Sequence, residues 1–266
     1  MIDIHPTSIV DSKAEIEDGV KIGPYSVIGA DVKIGKGTVI GSSVLIEGPS
    51  EIGENCKIYH SVSIGLPPQD LSHKGERSYV KIGKNNIIRE FVTIHRATGE
   101  EKVTEIGDDN FLMTYVHVAH NCKIGSHTIL VNMAQFAGFV EIGDHAFVSG
   151  MVVVHQFTRI GNYSMIGGFS RVSQDVPPFF LGVGNPLSMI GVNVVGLRRK
   201  GFSSKRVSIL KEAFRILYRS GLNTSQAVKR IERELPLNED ISLLLNFIKT
   251  STRGIVKKVG PGKGEP

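Results

Sequence analysis

From Ile4 to Val172 an apolar residue recurs at every sixth position, and few folds can absorb such a period. The series runs Ile4, Val10, Ile16, Ile22, Ile28, Ile34 and onward to Val148, Val154, Ile160, Ile166 and Val172. Of its 29 members 26 are aliphatic or Phe; the exceptions, Asp70, Glu76 and Glu100, lie in residues 66–79 and 96–105, which read as loops from their Pro, Gly and charge. A six-residue repeat of this kind is the signature of a parallel β-helix, in which three short strands form one triangular coil of about 18 residues. Glycine often follows the apolar position, as at Gly23, Gly35 and Gly53, and with the Asn or Asp beyond it is expected to supply positive φ at the corners. The abundance of Gly (30 residues) and the absence of Trp agree with a narrow, repetitive core.

The rhythm stops at Gln174-Asp-Val-Pro-Pro178, and Phe179 to Gly201 reads as irregular. Helical patterns follow. Ser203 or Ser204 caps a run to Arg219 closed by Gly221, a second run starts at Thr224 and ends before Pro236, and a third extends from near Asn238 to near Gly254. The expected organisation is a β-helix over residues 1–190, a helical domain over 191–256 and a frayed tail over 257–266.

No stretch approaches the ~18 apolar residues of a membrane span, and the N-terminus lacks the pattern of a secretion signal, so a cytoplasmic protein without stable membrane insertion is expected. The net charge of +5 suits nucleic acid, an acidic protein or a phosphorylated small molecule and does not choose among them. Cys56 and Cys122 each stand two residues before a series position, hence inward, where a thiol is a poor nucleophile.

Eighteen-residue spacing serves as a ruler, because residues one coil apart stack at roughly 4.8 Å. In Val116-His-Val-Ala-His-Asn-Cys122, His117 is outward on a strand and His120 sits at the following corner. The column through His120 runs to Gly138 and Gln156, and His155 stands over Ala137 and Ala119. His120, Gly138, His155 and Gln156 therefore share one corner within about 10 Å, in a trough left by small residues. His127 and His145 also fall at corners and are given no role. Zinc held by histidines between subunits is a competing reading, but the column offers no third ligand. A non-catalytic β-helix scaffold would favour flat Thr ladders, whereas the outward residues here include Lys21, Lys33 and Lys57.

Several stretches together are more specific than the repeat. They are Pro68-Gln-Asp-Leu71, Val92-Thr-Ile-His-Arg96, His117 to Cys122, Ala137-Gly138, Val154-His-Gln-Phe157, Gln174 to Pro178, Gly191-Val-Asn193 and Gly196 to Ser203. With them the chain resembles, over essentially its whole length, the acyl-carrier-protein-dependent UDP-N-acetylglucosamine O-acyltransferases that begin lipid A synthesis. The resemblance implies an all-β left-handed parallel β-helix with a C-terminal α-helical domain, and a homotrimer with active sites between subunits. It implies transfer of a 3-hydroxyacyl group from acyl carrier protein to the sugar 3-position, with the phosphopantetheine thioester as donor and neither cofactor nor metal. No nucleic acid is then a partner. By the same resemblance His120 is the general base, the Gly138 N–H the oxyanion donor, and Gln69, Asp70, His95, His117, His155, Gln156, Asn193, Arg199 and Lys200 contact the UDP-sugar. Gly168 stands where bulkier residues close the acyl groove in other members, which implies a fairly long acyl chain. Asn121 replaces the Asp that many members carry beside the base; a 3-amino sugar acceptor, giving an amide, is the variant reading.

Overall fold

The computed structural model describes residues 1–260, and between Asp3 and Val172 it forms 26 strands of two to four residues. Each contains one member of the six-residue series, which points inward and is buried from Ile22 onward. The strands stack into three parallel sheets, the faces of a triangular prism: a first face beginning with Asp3–Ile4, a second with Ile9–Val10 and a third with Glu15–Ile16. Partners are 18 residues apart, as in Ile22↔Ile40 and Val118↔Phe136. Across the two loops the spacing grows to 30 (Ile58↔Ile88) and then to 24 (Ile88↔Leu112). The excursions therefore add two hexads and one hexad, which is why the series keeps its phase through them. The strand Val103–Ile106 resumes the coil inside the stretch read as loop up to residue 105.

The corners match expectation in part: Asp31, Asn55, Asn85 and Asp109 carry the positive φ expected of Asn or Asp, whereas most of the glycines do not. Glycines after the series position mostly have ordinary φ; their role is close stacking, since a Cβ on Gly53 would come within 2.6 Å of the Gly83 backbone. Positive φ falls two residues later and is carried by Tyr25, Asn55, Phe91, Tyr115, Asn121, Met133, Phe139 and Phe157 among others. A non-glycine residue there costs about 1–2 kcal/mol, offset by a hydrogen bond from its N–H to the coil below, as from Met133 N to Thr114 O (3.0 Å) and Phe139 N to His120 O (3.0 Å).

The three faces carry different outward rows. On the third, Glu15, Lys33, Glu51, Lys81, Glu105, Lys123, Glu141 and Arg159 are in register and alternate in sign. On the first the row begins Asp3, Lys21, Val39 and Lys57 and is apolar from there on: Ile87, Phe111, Ile129, Phe147 and Met165. The corner between first and second faces is apolar too, with Phe91, Tyr115, Met133, Met151 and Phe169 exposed.

Beyond Val172 the chain is more ordered than the sequence suggests. Phe180–Val183 pairs in parallel with Met165–Ile166 and, antiparallel, with Ser188–Val192, closing the prism; the expected boundary at residue 190 falls inside that last strand. Helix α1 (Val194–Arg199) occupies part of the stretch read as irregular, capped by the Asn193 side chain on Gly196 N. Then come α2 (Ser204–Arg219, capped by Ser203), α3 (Thr224–Glu234, with an Asn223/Gln226 capping box) and α4 (Glu239–Lys249, capped by Asn238). Phe214 of α2 meets Phe180 edge-on at 5.2 Å, and Arg206 holds Asp240 through two hydrogen bonds of 2.8 and 2.7 Å, joining α2 to α4. The chain then returns to the prism: Asp175 N binds Gly254 O, and Met189 bonds to Lys258 O and Gly260 N. Residues 257–260 of the expected tail are thus bound to the fold; residues 261–266 lie outside the described residues.

Candidate active site

His120 follows Val118 at the corner between second and third faces, and its ring lies on the α-carbon of Gly138. A Cβ built on Gly138 would stand 2.4 Å from His120 Cε1 and 2.5 Å from Nε2, so only glycine leaves room for the imidazole. The Gly138 carbonyl accepts from Phe157 N at 3.1 Å, while its N–H has no acceptor among the described residues.

The proton on the imidazole is placed by Asn121. Asn121 Oδ1 accepts from Thr98 N (2.9 Å) and its Nδ2 donates to Thr98 O (3.1 Å), so a single backbone residue fixes which amide atom is oxygen. That oxygen lies 2.9 Å from His120 Nδ1 and can only accept. Nδ1 therefore carries the proton and Nε2 keeps a lone pair, with Asp70 Oδ2 3.8 Å away. Asp70 Oδ1 accepts from both N and Oγ of Ser72 at 2.9 Å, and these bonds hold its carboxyl below the usual carboxylate range. The negative charge that Asn121 cannot supply is thus present on the opposite edge of the ring.

Two neighbouring histidines, His117 and His95, have lowered pKa values that favour the neutral ring. Burial, reinforced by repulsion from His95 and His120, lowers His117 to about 4, and its Nδ1 lies 2.7 Å from Thr93 Oγ1. Burial likewise lowers His95, whose Nδ1–H donates to Pro67 O at 2.8 Å. The rings of His95 and His117 meet edge-to-face at 5.3 Å. Among the described residues no three His, Cys, Asp or Glu side chains are grouped to hold a metal ion. Cys56 and Cys122 are fully buried, and burial pushes the Cys122 thiol up to about 12. A thiolate nucleophile is therefore not available here.

Along the second face runs a groove of about 460 Å³ lined by Gln69, Phe91, Thr93, Tyr115, His117, Met133 and Gln135. The larger concavity, about 620 Å³, lies on the third face along the charge ladder, away from these histidines. The smaller groove is the candidate because imidazoles border it. Gly168 lies farther along its Met133, Met151 and Phe169 edge; a Cβ there would make only ordinary contact, 3.4 Å from Gly150 O.

The structure thus gathers Gln69, Asp70, His95, His117, His120, Asn121 and Gly138. His155 and Gln156 stand two coils above Ala119 and His120, exposed, along the register Val118↔Phe136↔Val154. Asn193, Arg199 and Lys200 belong to another corner, between third and first faces. There Asn193 Nδ2 binds Tyr163 O (2.9 Å), and Lys200 is close enough to His145 to help burial lower that ring's pKa. Asn193 is 7% exposed and both ends of its amide serve the fold, which leaves one N–H and one lone pair of that amide for a ligand. Thr98 was not foreseen; no periodic signal marks a loop residue whose backbone holds a neighbour's side chain. His95 is beyond the reach of an 18-residue ruler because the second excursion makes the step 24, which sets it under Ala119.

Known proteins share this sequence and fold. Residues 175–256 match the family described as UDP N-acetylglucosamine O-acyltransferase, domain 2, and residues 13–48, 31–65 and 104–138 match bacterial transferase hexapeptide repeats. The acyl-[acyl-carrier-protein]–UDP-N-acetylglucosamine O-acyltransferase of Sulfurihydrogenibium sp. is 56% identical over 99% of this chain and 97% of its own length. The enzyme of that name from Thermodesulfovibrio yellowstonii is 52% identical over 97% of this chain and its whole length. The chain belongs to the UDP-N-acetylglucosamine O-acyltransferase family. The crystal structure of the Bacteroides fragilis UDP-N-acetylglucosamine acyltransferase superposes with a TM-score of 0.93, at 41% identity over 95% of this chain and 99% of that one. A prism wound the other way could not superpose so well, and the coil is left-handed, as in that family's structures.

Proposed function

We propose that this chain transfers a 3-hydroxyacyl group from acyl carrier protein to the 3-hydroxyl of UDP-N-acetylglucosamine, the first step of lipid A synthesis. The relatives compared above are O-acyltransferases by name, which supports a hydroxyl acceptor over the 3-amino analogue. The observation that carries the reading is the lone pair on His120 Nε2 beside an unpaired Gly138 N–H. A sugar hydroxyl is a poor nucleophile. His120 Nε2 takes its proton as the oxygen attacks the thioester carbon, and the resulting imidazolium lies between Asn121 Oδ1 and Asp70. The carbonyl oxygen becomes an oxyanion that the Gly138 N–H stabilises. Collapse expels the phosphopantetheine thiolate, which receives the proton from His120. No acyl-enzyme is needed, consistent with two buried cysteines, and no cofactor takes part.

Gln69, Asp70, His95, His117, His155 and Gln156 are assigned to sugar-nucleotide contacts, and Gly168 to the groove that admits a long acyl chain. Arg199 and Lys200 are assigned to the nucleotide, but their corner is not that of His120. A substrate that uses both sets therefore spans two copies of the chain, and we assign a homotrimer with the apolar first face of one copy against the second face of the next. Among the described residues no helix is long and apolar enough to cross a membrane; a cytoplasmic location follows from substrates made there.

The test is acyl transfer by the purified protein, offered a series of acyl carrier proteins with the 3-hydroxy and 3-amino UDP-sugars. His120→Ala is expected to lower kcat by about 10³-fold or more, as loss of a general base does, with the oligomer intact. Near-normal turnover by that variant would refute the assignment of His120.

A further inference from the structure

His155 Nδ1 has two neighbours that make opposite demands. The Gln156 carbonyl oxygen, 3.1 Å away, requires a proton on Nδ1, whereas Arg253 Nη2, 3.0 Å away, requires a lone pair there. Arginine decides the matter. Its guanidinium has donors only and no acceptor. It is also anchored from its other edge, since Arg253 Nε donates to Ser173 O at 2.9 Å. The segment that carries it is bound in turn: Ser251 Oγ donates to Asp175 Oδ2 (2.7 Å), and Asp175 N and O bond to Gly254 O and Val256 N. Asp175 is fully buried, so this return of the chain after α4 is built into the end of the prism.

We infer that Arg253 is a positioning residue for the acyl-transfer centre, fixing His155 with its proton on Nε2 so that this edge serves as a neutral hydrogen-bond donor to the sugar nucleotide. The inference rests on the reading that His155 contacts that substrate. Nε2 of His155 meets no partner among the described residues and stands exposed two coils above Ala119, so it is free to meet a ligand. His120 and His155, in adjacent columns of this corner, then hold opposite tautomers. His120 has its proton on Nδ1 and offers a base; His155 has it on Nε2 and offers a donor. A sugar nucleotide presents acceptor oxygens on sugar and diphosphate, and an Nε2 without a proton would repel them. The helical domain contributes in this way to ligand binding without touching the ligand.

The test uses the full-length protein labelled with ¹⁵N-histidine, in which two-bond ¹H–¹⁵N correlations separate the tautomers and His155→Gln assigns the His155 signal. The wild type should show His155 protonated on Nε2 and His120 on Nδ1. In Arg253→Met the Gln156 carbonyl should capture the His155 proton on Nδ1, and the KM for the UDP-sugar should rise about five- to tenfold, one neutral hydrogen bond, with kcat within twofold. Arg253→Lys, which retains a donor, should restore part of both signatures if the methionine variant folds poorly. A wild-type His155 protonated on Nδ1 overturns the inference, as does an unchanged tautomer and KM in a folded Arg253→Met. The tautomer is read without turnover; a correct tautomer in a protein that transfers no acyl group would refute the proposed function and leave the role of Arg253 in fixing the ring standing.

Discussion

Gly138 is the residue at which backbone and chemistry are least separable. Its missing side chain is the space the His120 ring occupies, and its N–H is the donor assigned to the oxyanion. Gly138→Ala would not strain the backbone, because its φ is not positive. The added methyl would instead force the ring off the groove. We expect kcat to fall about 10²-fold, the loss associated with an ångström of misplacement, while the thermal midpoint moves little because the ring can swing toward solvent. A stopped activity assay alongside a melting curve checks both. The stack of Gly138 on His120 is legible in the sequence because the coils between Ile106 and Val172 step by 18 residues. Asn121 is legible only as a substitution. What it does depends on Thr98, in a loop with no periodicity, and on Asp70, in another; together they replace the charge of an aspartate beside the base.

At the scale of elements, the six-residue series determines which residues face inward, and the outward rows are set independently of it. The third face shows this best. Lys123 lies in register between Glu105 and Glu141, and these strands are too short for the backbone alone to resist slippage. Lys123→Ala removes two favourable cross-strand pairs, and Lys123→Glu replaces them with two repulsive ones. Each pair contributes about 0.2–1 kcal/mol, so stability should decrease in the order Lys, Ala, Glu, with roughly 1–3 kcal/mol between the extremes. The gap should close in 1 M salt, where screening reaches only about 3 Å. Urea titration at fixed protein concentration with and without salt measures it; an order that survives salt would mean packing, not charge, distinguishes the variants. Other elements were hidden for definable reasons. Helix α1 contains Val194, Val195 and Gly196, all poor helix formers, and forms because Asn193 caps it against Tyr163. The pairing of Met189 with Lys258 and Gly260 joins residues some seventy apart, with no repeat to announce it.

For the whole molecule, one prism offers two apolar surfaces and one charged one, and its proposed nucleotide residues sit at a different corner from its proposed base. The proposed three-fold ring would reconcile these features: each apolar first face would meet the next copy's second face, the ladder would face solvent, and the Arg199 corner of one copy would come to the His120 corner of another. A heterologous contact whose rotation closes gives such a ring. Phe111, outward between Ile87 and Ile129, is the residue to disturb. In Phe111→Glu a buried, unpaired carboxylate at each interface should cost several kcal/mol, enough to release folded chains of 29.0 kDa in analytical ultracentrifugation. Such monomers should be inactive although His120, Asn121 and Gly138 remain together. A second measurement separates loss of assembly from loss of fold. His120→Ala and Arg199→Ala, each inactive alone, are expected to recover about a quarter of wild-type activity per site when co-expressed in equal amounts, because one interface in four pairs an intact His120 with an intact Arg199. Co-expression that restores nothing would mean both residues act within one chain, which the separation of their corners makes geometrically incompatible with a single substrate.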